Sequence, residues 1–234
     1  MSALALFDLD NTLLTGDSEV LWTDFLVRRG LLDASFVARN AEMSRRYHAG
    51  TAAPSDFCEF FASTFAGRTA DDWTPVREAF MQEVILPRIP KAARALVEQH
   101  REQGDALVLT SATSRFLIEP TAASLGFENV IATELQVLTD GRFAGHTRGV
   151  LNMCEGKLTR LAEWLAQRDG SVADMLAGAC FYSDSINDLP LLLAVGHPVV
   201  VDPDERLMLE AQRLRWPVLR LDRSIGAPSL ARPT

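Results

Sequence analysis

The 234-residue chain has few of the residues that build metal fingers or disulfide frameworks. Its three cysteines, Cys58, Cys154 and Cys180, lie far apart, and no Cys-x-x-Cys or Cys/His cluster occurs. Neither a zinc site nor a disulfide scaffold is indicated, and reduced thiols are the simplest reading. The four histidines are equally scattered. Basic charge is also short: 23 Lys and Arg against 31 Asp and Glu leave a formal net charge of -8. That opposes nucleic-acid binding and provides no basic face for a membrane surface. It leaves room for an anionic substrate at a locally positive site. No apolar run approaches the roughly 18–20 residues of a membrane span. The N-terminus runs straight into an apolar strand without a charged segment and leader core, which predicts a cytoplasmic protein. Repeats and low-complexity tracts are missing as well.

What the chain does have is apolar mass. Hydrophobic residues make up 47% of it, enough for a sizeable core and against global disorder. The most informative stretch is Leu4-Ala5-Leu6-Phe7-Asp8-Leu9-Asp10-Asn11-Thr12-Leu13-Leu14. Leu4 to Leu9 is too short for a stable helix and suits a buried parallel strand. Residues two apart on a strand share a face, so Asp8 and Asp10 present two like charges at the strand end. Such a pair raises its own proton affinity unless a positive group intervenes. Oxygen ligands favour a hard divalent cation, Mg²⁺ first. A metal-bound carboxylate beside a free one suits attack on phosphorus. The alternative is a strand end with turn and cap residues.

Residues from about 16 to 85 read as helical throughout. Ser18 is the expected cap of a first helix carrying Leu21, Trp22, Phe25 and Leu26. A second helix is expected over Ala34 to His48, and a third from Pro54 with Phe57, Phe60, Phe61 and Phe65 as its stripe. A fourth spans about Asp71 to Val84. The two-proline segment Leu86-Pro87-Arg88-Ile89-Pro90 breaks the pattern. Helices and short apolar strands then alternate, which implies a parallel sheet with helices on both faces and a site at the carboxyl ends of its strands.

Polar residues follow each of the main strands. Leu107-Val108-Leu109 runs into Thr110-Ser111-Ala112-Thr113, and Cys180-Phe181-Tyr182 into Ser183-Asp184-Ser185-Ile186-Asn187-Asp188. Gly156-Lys157 opens a helix between them. Hydroxyls, an ammonium and two acidic clusters on one sheet edge suit metal-assisted phosphoryl chemistry. Singly, each has a plainer reading. The hydroxyls can cap a helix, Lys157 can be a surface lysine, and Asp184 and Asp188 can complement a helix dipole.

Taken in order, these segments resemble the four motifs of the haloacid dehalogenase-like phosphatases, in particular the phosphoserine phosphatase-like members with a helical cap. The first motif is normally Asp-x-Asp-x-Thr, and the fourth reads Gly-Asp-x-x-Asn-Asp; Ser183 stands here for the glycine. The resemblance implies an α/β fold, a doubly wound, Rossmann-like parallel-sheet core of residues 1–15 and 86–225. An all-helical cap of residues 16–85 is inserted into it, and 226–234 form a flexible tail. It implies Asp8 as nucleophile, Asp10 as general acid and base, and Ser111 with the Ala112 amide on phosphate oxygens. Lys157 would stabilise charge. Asp8, Asp10 (through its carbonyl), Asp184 and Asp188 would hold Mg²⁺, and Asn187 would support the phosphate. In the cap, Asp17 and Glu19 are candidates for a substrate amine, and Arg45 and Arg46 for a carboxylate or the phosphate. The expected activity is hydrolysis of a small phosphorylated metabolite, phosphoserine or histidinol phosphate being candidates, by a monomer or homodimer. A phosphoryl transferase or mutase of the same superfamily, or a non-catalytic phosphate-binding protein, are the competing readings.

Overall fold

The computed structural model describes residues 3–224; the expected tail, 226–234, lies outside them. Seven strands form one sheet in the order β4-β3-β2-β1-β5-β6-β7. They are β1 (Leu4–Phe7), β2 (Ala106–Ser114), β3 (Asn129–Val137), β4 (Phe143–Arg148), β5 (Cys180–Ser183), β6 (His197–Val201) and β7 (Val218–Leu219). Every pairing is parallel except β3 with β4, an antiparallel hairpin. The expected parallel α/β core is therefore observed, and its central strand is the one that leads into Asp8.

Alternation along β1 explains how the sheet is covered. Ala5 and Phe7 face a core shared with α5 (Lys91–Glu102) and α6 (Arg115–Ser124). Leu4 and Leu6 face the opposite core, shared with α7 (Glu155–Leu165), α9 (Leu189–Ala194) and α10 (Glu205–Leu214). A short helix, α8 (Val172–Ala177), precedes β5. Its six residues are too few to show a helical period in the sequence.

Between β1 and β2 the chain is helical: α1 (Ser18–Arg28), α2 (Ser35–His48), α3 (Pro54–Ala62) and α4 (Ala70–Phe80). Trp22 anchors this block. It stacks on Phe65 and meets Trp73 and Phe80 edge-on, with centroids 5.1–5.5 Å apart. Phe65 in turn touches Phe116 and Phe143, so the aromatic core of the helices continues into that of the sheet. The expected fourth helix stops early. It passes into a π turn over Met81–Ile85 and a 3-10 turn over Leu86–Arg88, where Pro87 has no N–H to extend the ladder. Among the described residues no helix is long and apolar enough to cross a membrane.

Candidate active site

The strand ends carry the polar residues, as the parallel topology requires. The N–H of Asp8 donates to the Tyr182 carbonyl at 2.9 Å, which locks the end of β1 to β5. Asp8 is only 7% exposed. Its Oδ1 accepts from Lys157 Nζ at 2.9 Å, and the same ammonium donates to Asp188 Oδ2 at 2.7 Å. Ser183 Oγ also donates to Asp188 Oδ2, at 2.7 Å. Burial works against the charge of Lys157, but Asp188 and Asp8 outweigh it and hold the ammonium protonated well above its ordinary range. Burial likewise pushes Asp8 up to about 7; Lys157 opposes this, and Asp188 and Asp10 add to it.

Lys157 reaches this depth because of the segment before α7. A Cβ on Gly156 would sit 2.0 Å from the Leu151 carbonyl oxygen, so only glycine lets the chain fold back so closely before the lysine. Asn152, fully buried, ties the same segment to the sheet through its Nδ2, which donates to the carbonyls of Ser111 and Ile131 at 2.9 Å.

Asp10 points elsewhere. Its Oδ1 accepts from the Ser18 N–H at 2.7 Å and its Oδ2 from Thr113 Oγ1 at 2.8 Å. Burial and the charge of Asp17 raise its pKa to about 6 against these hydrogen bonds. Thr12 donates to Asp184 Oδ1 at 3.0 Å. Burial, then the charge of Asp8, lifts Asp184 well above the usual carboxylate range.

The donors fit a small hard cation. Asp8, Asp184 and Asp188 line one cavity, and Lys157 pairs with Asp188 and with one oxygen of Asp8. Burial is the main cause of the raised proton affinities of Asp8 and Asp184, and the neighbouring carboxylates add to it. Among the described residues no cluster of three His, Cys, Asp or Glu side chains is formed. Two carboxylates are nevertheless the kind of set Mg²⁺ uses, since it keeps several of its waters. Of the four acids expected as ligands, Asp8 and Asp184 line the cavity with raised proton affinities, and Thr12 bonds one oxygen of Asp184. The carboxylates of Asp10 and Asp188 are held by Ser18 with Thr113 and by Lys157 with Ser183.

These groups line a cavity of about 560 Å³, together with Asp17, Glu19, Ser44, Tyr47, Phe57, Ala112, Thr113, Met153, Asn187 and Arg206. Asp17, not Ser18, caps α1: its Oδ1 accepts from the N–H groups of Glu19 and Val20 at 2.9 and 3.0 Å. Glu19 is 6% exposed. Burial first, then Asp17 and Asp10, raise its pKa well above normal. Asn187 donates through Nδ2 to the Tyr47 hydroxyl at 2.8 Å. Ser111 is fully buried, its Oγ accepting from the Thr113 N–H at 3.2 Å and donating to Asp10 Oδ2 at 3.4 Å; Ala112 and Thr113 are the β2 residues at the cavity wall. Arg45 and Arg46 are not brought to the cavity. Both are exposed on α2, and Arg45 pairs with Glu42. The sequence places Thr113 among the hydroxyls that follow a strand without singling it out, and it gives Tyr47 no role. The repeated hydroxyls of Thr110 to Ser114 were a signal for the first, and helical phase was one for the second.

Residues 5–193 match the model of the haloacid dehalogenase-like hydrolase family. A histidinol-phosphatase of Neisseria meningitidis is 40% identical over 94% of this chain and 99% of its own. The crystal structure of a protein of unknown function from Bordetella pertussis superposes with a TM-score of 0.87 at 37% identity, covering 94% of this chain and 98% of that one. A substrate-bound phosphoserine phosphatase shares the fold, with a TM-score of 0.68 at 13% identity over 96% and 95% of the two chains.

Proposed function

The chain belongs to the haloacid dehalogenase-like hydrolase family and is one of its phosphatases, and from that premise we propose that it hydrolyses a cationic phosphomonoester of the histidinol phosphate type through a phosphorylated Asp8. Asp8 stands at the end of the central strand, paired with the buried lysine. One of its oxygens attacks phosphorus while the bond from phosphorus to the alcohol oxygen breaks. Asp10, held by Ser18 and Thr113 with a pKa near neutrality, gives its proton to the departing alkoxide. It then takes a proton from the water that attacks the aspartyl phosphate, so that phosphate leaves and both carboxylates are restored. Lys157 holds Asp8 in line and offsets charge on the phosphoryl oxygens. Ala112 and Thr113 border the phosphoryl subsite, with Asn187 beside it. Asp8 and Asp184, with the Asp10 carbonyl, are the groups that would hold Mg²⁺. The cation would favour ionised Asp8 and mask phosphate charge. The helical insertion, residues 16–85, acts as the cap that keeps bulk water from the site.

The observation that carries the substrate reading is the pair Asp17 and Glu19. Both line the cavity, Glu19 is almost completely buried, and no cation pairs with either among the described residues. The lining cations are Lys157, committed to Asp8 and Asp188, and Arg206, exposed on α10. An ammonium or imidazolium supplies what the acids lack. A substrate carboxylate would disfavour the ionised forms of both acids further and would meet no free buried cation. Histidinol phosphate carries the cation without the carboxylate; phosphoserine carries both. Phosphate release in Mg²⁺ therefore favours L-histidinol phosphate over O-phospho-L-serine by roughly 30-fold or more in kcat/KM, the factor set by about 2 kcal/mol for an unpaired buried charge. Equal or faster turnover of phosphoserine overturns this assignment.

A further inference from the structure

Helix α2 lends two side chains to the cavity, Ser44 and Tyr47, three residues apart and so on one helix face. The Tyr47 ring stacks on Phe57 at 4.4 Å between centroids. Phe57 is backed edge-on by Phe61 at 4.8 Å, and both phenylalanines are buried. The tyrosine ring is thus packed against a layer of buried phenylalanines, which limits the rotamers it can take. Its hydroxyl accepts from Asn187 Nδ2 at 2.8 Å and lies 3.5 Å from Met153 Sδ. The bond to Asn187 spans 140 positions of sequence and joins a helix of the insertion to the loop after β5 that carries Asp184 and Asp188. The same cavity holds the Asp17 and Glu19 carboxylates. An aromatic face and uncompensated acids attract a flat cation in the same sense, the one through its ring quadrupole and the other through charge.

We propose that Tyr47 is the specificity-determining residue of this site: its ring is the surface on which the cationic group of the substrate lies, and its hydroxyl, through Asn187, sets that surface in register with the phosphoryl subsite. The proposal rests on the cationic-substrate reading above and adds the residue that enforces it. It accounts for a tyrosine at a position where packing on Phe57 alone would accept phenylalanine.

Two variants separate the two roles. Tyr47→Phe keeps the ring and removes the acceptor for Asn187; Tyr47→Leu removes both. Each is assayed with L-histidinol phosphate and with glycerol 3-phosphate, whose alcohol has neither ring nor positive charge. Tyr47→Leu raises KM for histidinol phosphate about tenfold and for glycerol 3-phosphate less than about threefold, in the range of a desolvated cation–π contact. Tyr47→Phe leaves KM for histidinol phosphate within about threefold and lowers kcat on both esters about three- to tenfold, because an interaction that positions the reacting groups acts on kcat. Thermal melting confirms that the phenylalanine variant is folded. If wild type does not prefer histidinol phosphate to glycerol 3-phosphate, the cationic-substrate reading fails and this proposal with it. If wild type shows the preference and Tyr47→Leu retains it, this proposal alone is overturned. An unchanged kcat in Tyr47→Phe overturns the registering role of the hydroxyl.

Discussion

Replacing Asp8 by asparagine removes the charge of the proposed nucleophile while keeping its shape. In the metal-free protein burial, reinforced by Asp188 and Asp10, lifts this carboxyl from 3.8 to about 7 against the pull of Lys157. At about 1.4 kcal/mol for each tenfold change in proton affinity, the ionised side chain costs the folded chain about 4 kcal/mol relative to a neutral one. Linkage gives the sign. The folded chain binds this proton more tightly than the unfolded chain, so the associated stability is fully present below about pH 4 and is lost as the pH rises through about 7. Asparagine is neutral at every pH and avoids that loss. It also leaves Lys157 with Asp188 as its only carboxylate partner, so the net gain at pH 8 in chelator is about 1–4 kcal/mol. For a chain of this size that is a rise in Tm of roughly 3–12 °C, shrinking to within about 2 °C at pH 4. Thermal melts of Asp8→Asn and wild type in chelator at both pH values, with phosphate release measured alongside, make the test. An Asp8→Asn protein that melts below wild type at pH 8, or a gap that does not change with pH, would refute the reasoning, as would near-normal turnover.

Two further outcomes follow from the site. Asp184→Ala raises the Mg²⁺ concentration for half-maximal phosphate release about tenfold or more, and calorimetric titration shows the same weakening of Mg²⁺ binding without substrate; unchanged Mg²⁺ affinity removes Asp184 from the metal set. Arg45→Ala and Arg46→Ala change kcat/KM less than about twofold on both L-histidinol phosphate and p-nitrophenyl phosphate, as expected for exposed residues away from the cavity; a tenfold loss on either ester would bring these arginines into the site.

Much of the core was readable because its signals are local. The Asp8 and Asp10 spacing needs only the two-residue period of a strand, and each apolar run followed by polar residues marks a strand end. The misreadings arose where two local rules competed or where tertiary contacts decided. Asp17 and Ser18 are both good caps; Asp17 takes the role, and the Ser18 hydroxyl is engaged instead with Thr113 Oγ1 at 3.1 Å. On α2 the charges of Arg45 and Arg46 drew attention, yet Phe36, Asn40, Met43 and Tyr47 recur at spacings of four, three and four, and that phase turns Tyr47 inward. Strand β2 runs on to Ser114 through a polar stretch that looks like a turn. It is held there by pairing with β3, with a register shift between Ser111 and Ser114, and Thr113 reaches Asp10 from it. Asp188 reads as a metal ligand by its neighbours in sequence. Its commitment to Lys157, 31 residues upstream, is a property of the folded chain.

The central claim is that the phosphoryl group passes through Asp8. Acid quenching during turnover of L-histidinol phosphate in Mg²⁺, followed by proteolysis and mass spectrometry, reads this directly. The account predicts one phosphoryl group on the peptide carrying Asp8, gained on mixing with substrate, lost as substrate is consumed, and missing from Asp8→Asn. Phosphate release with that peptide unmodified at every quench time, or with the phosphoryl group on Ser111 or Thr113 instead, would contradict it.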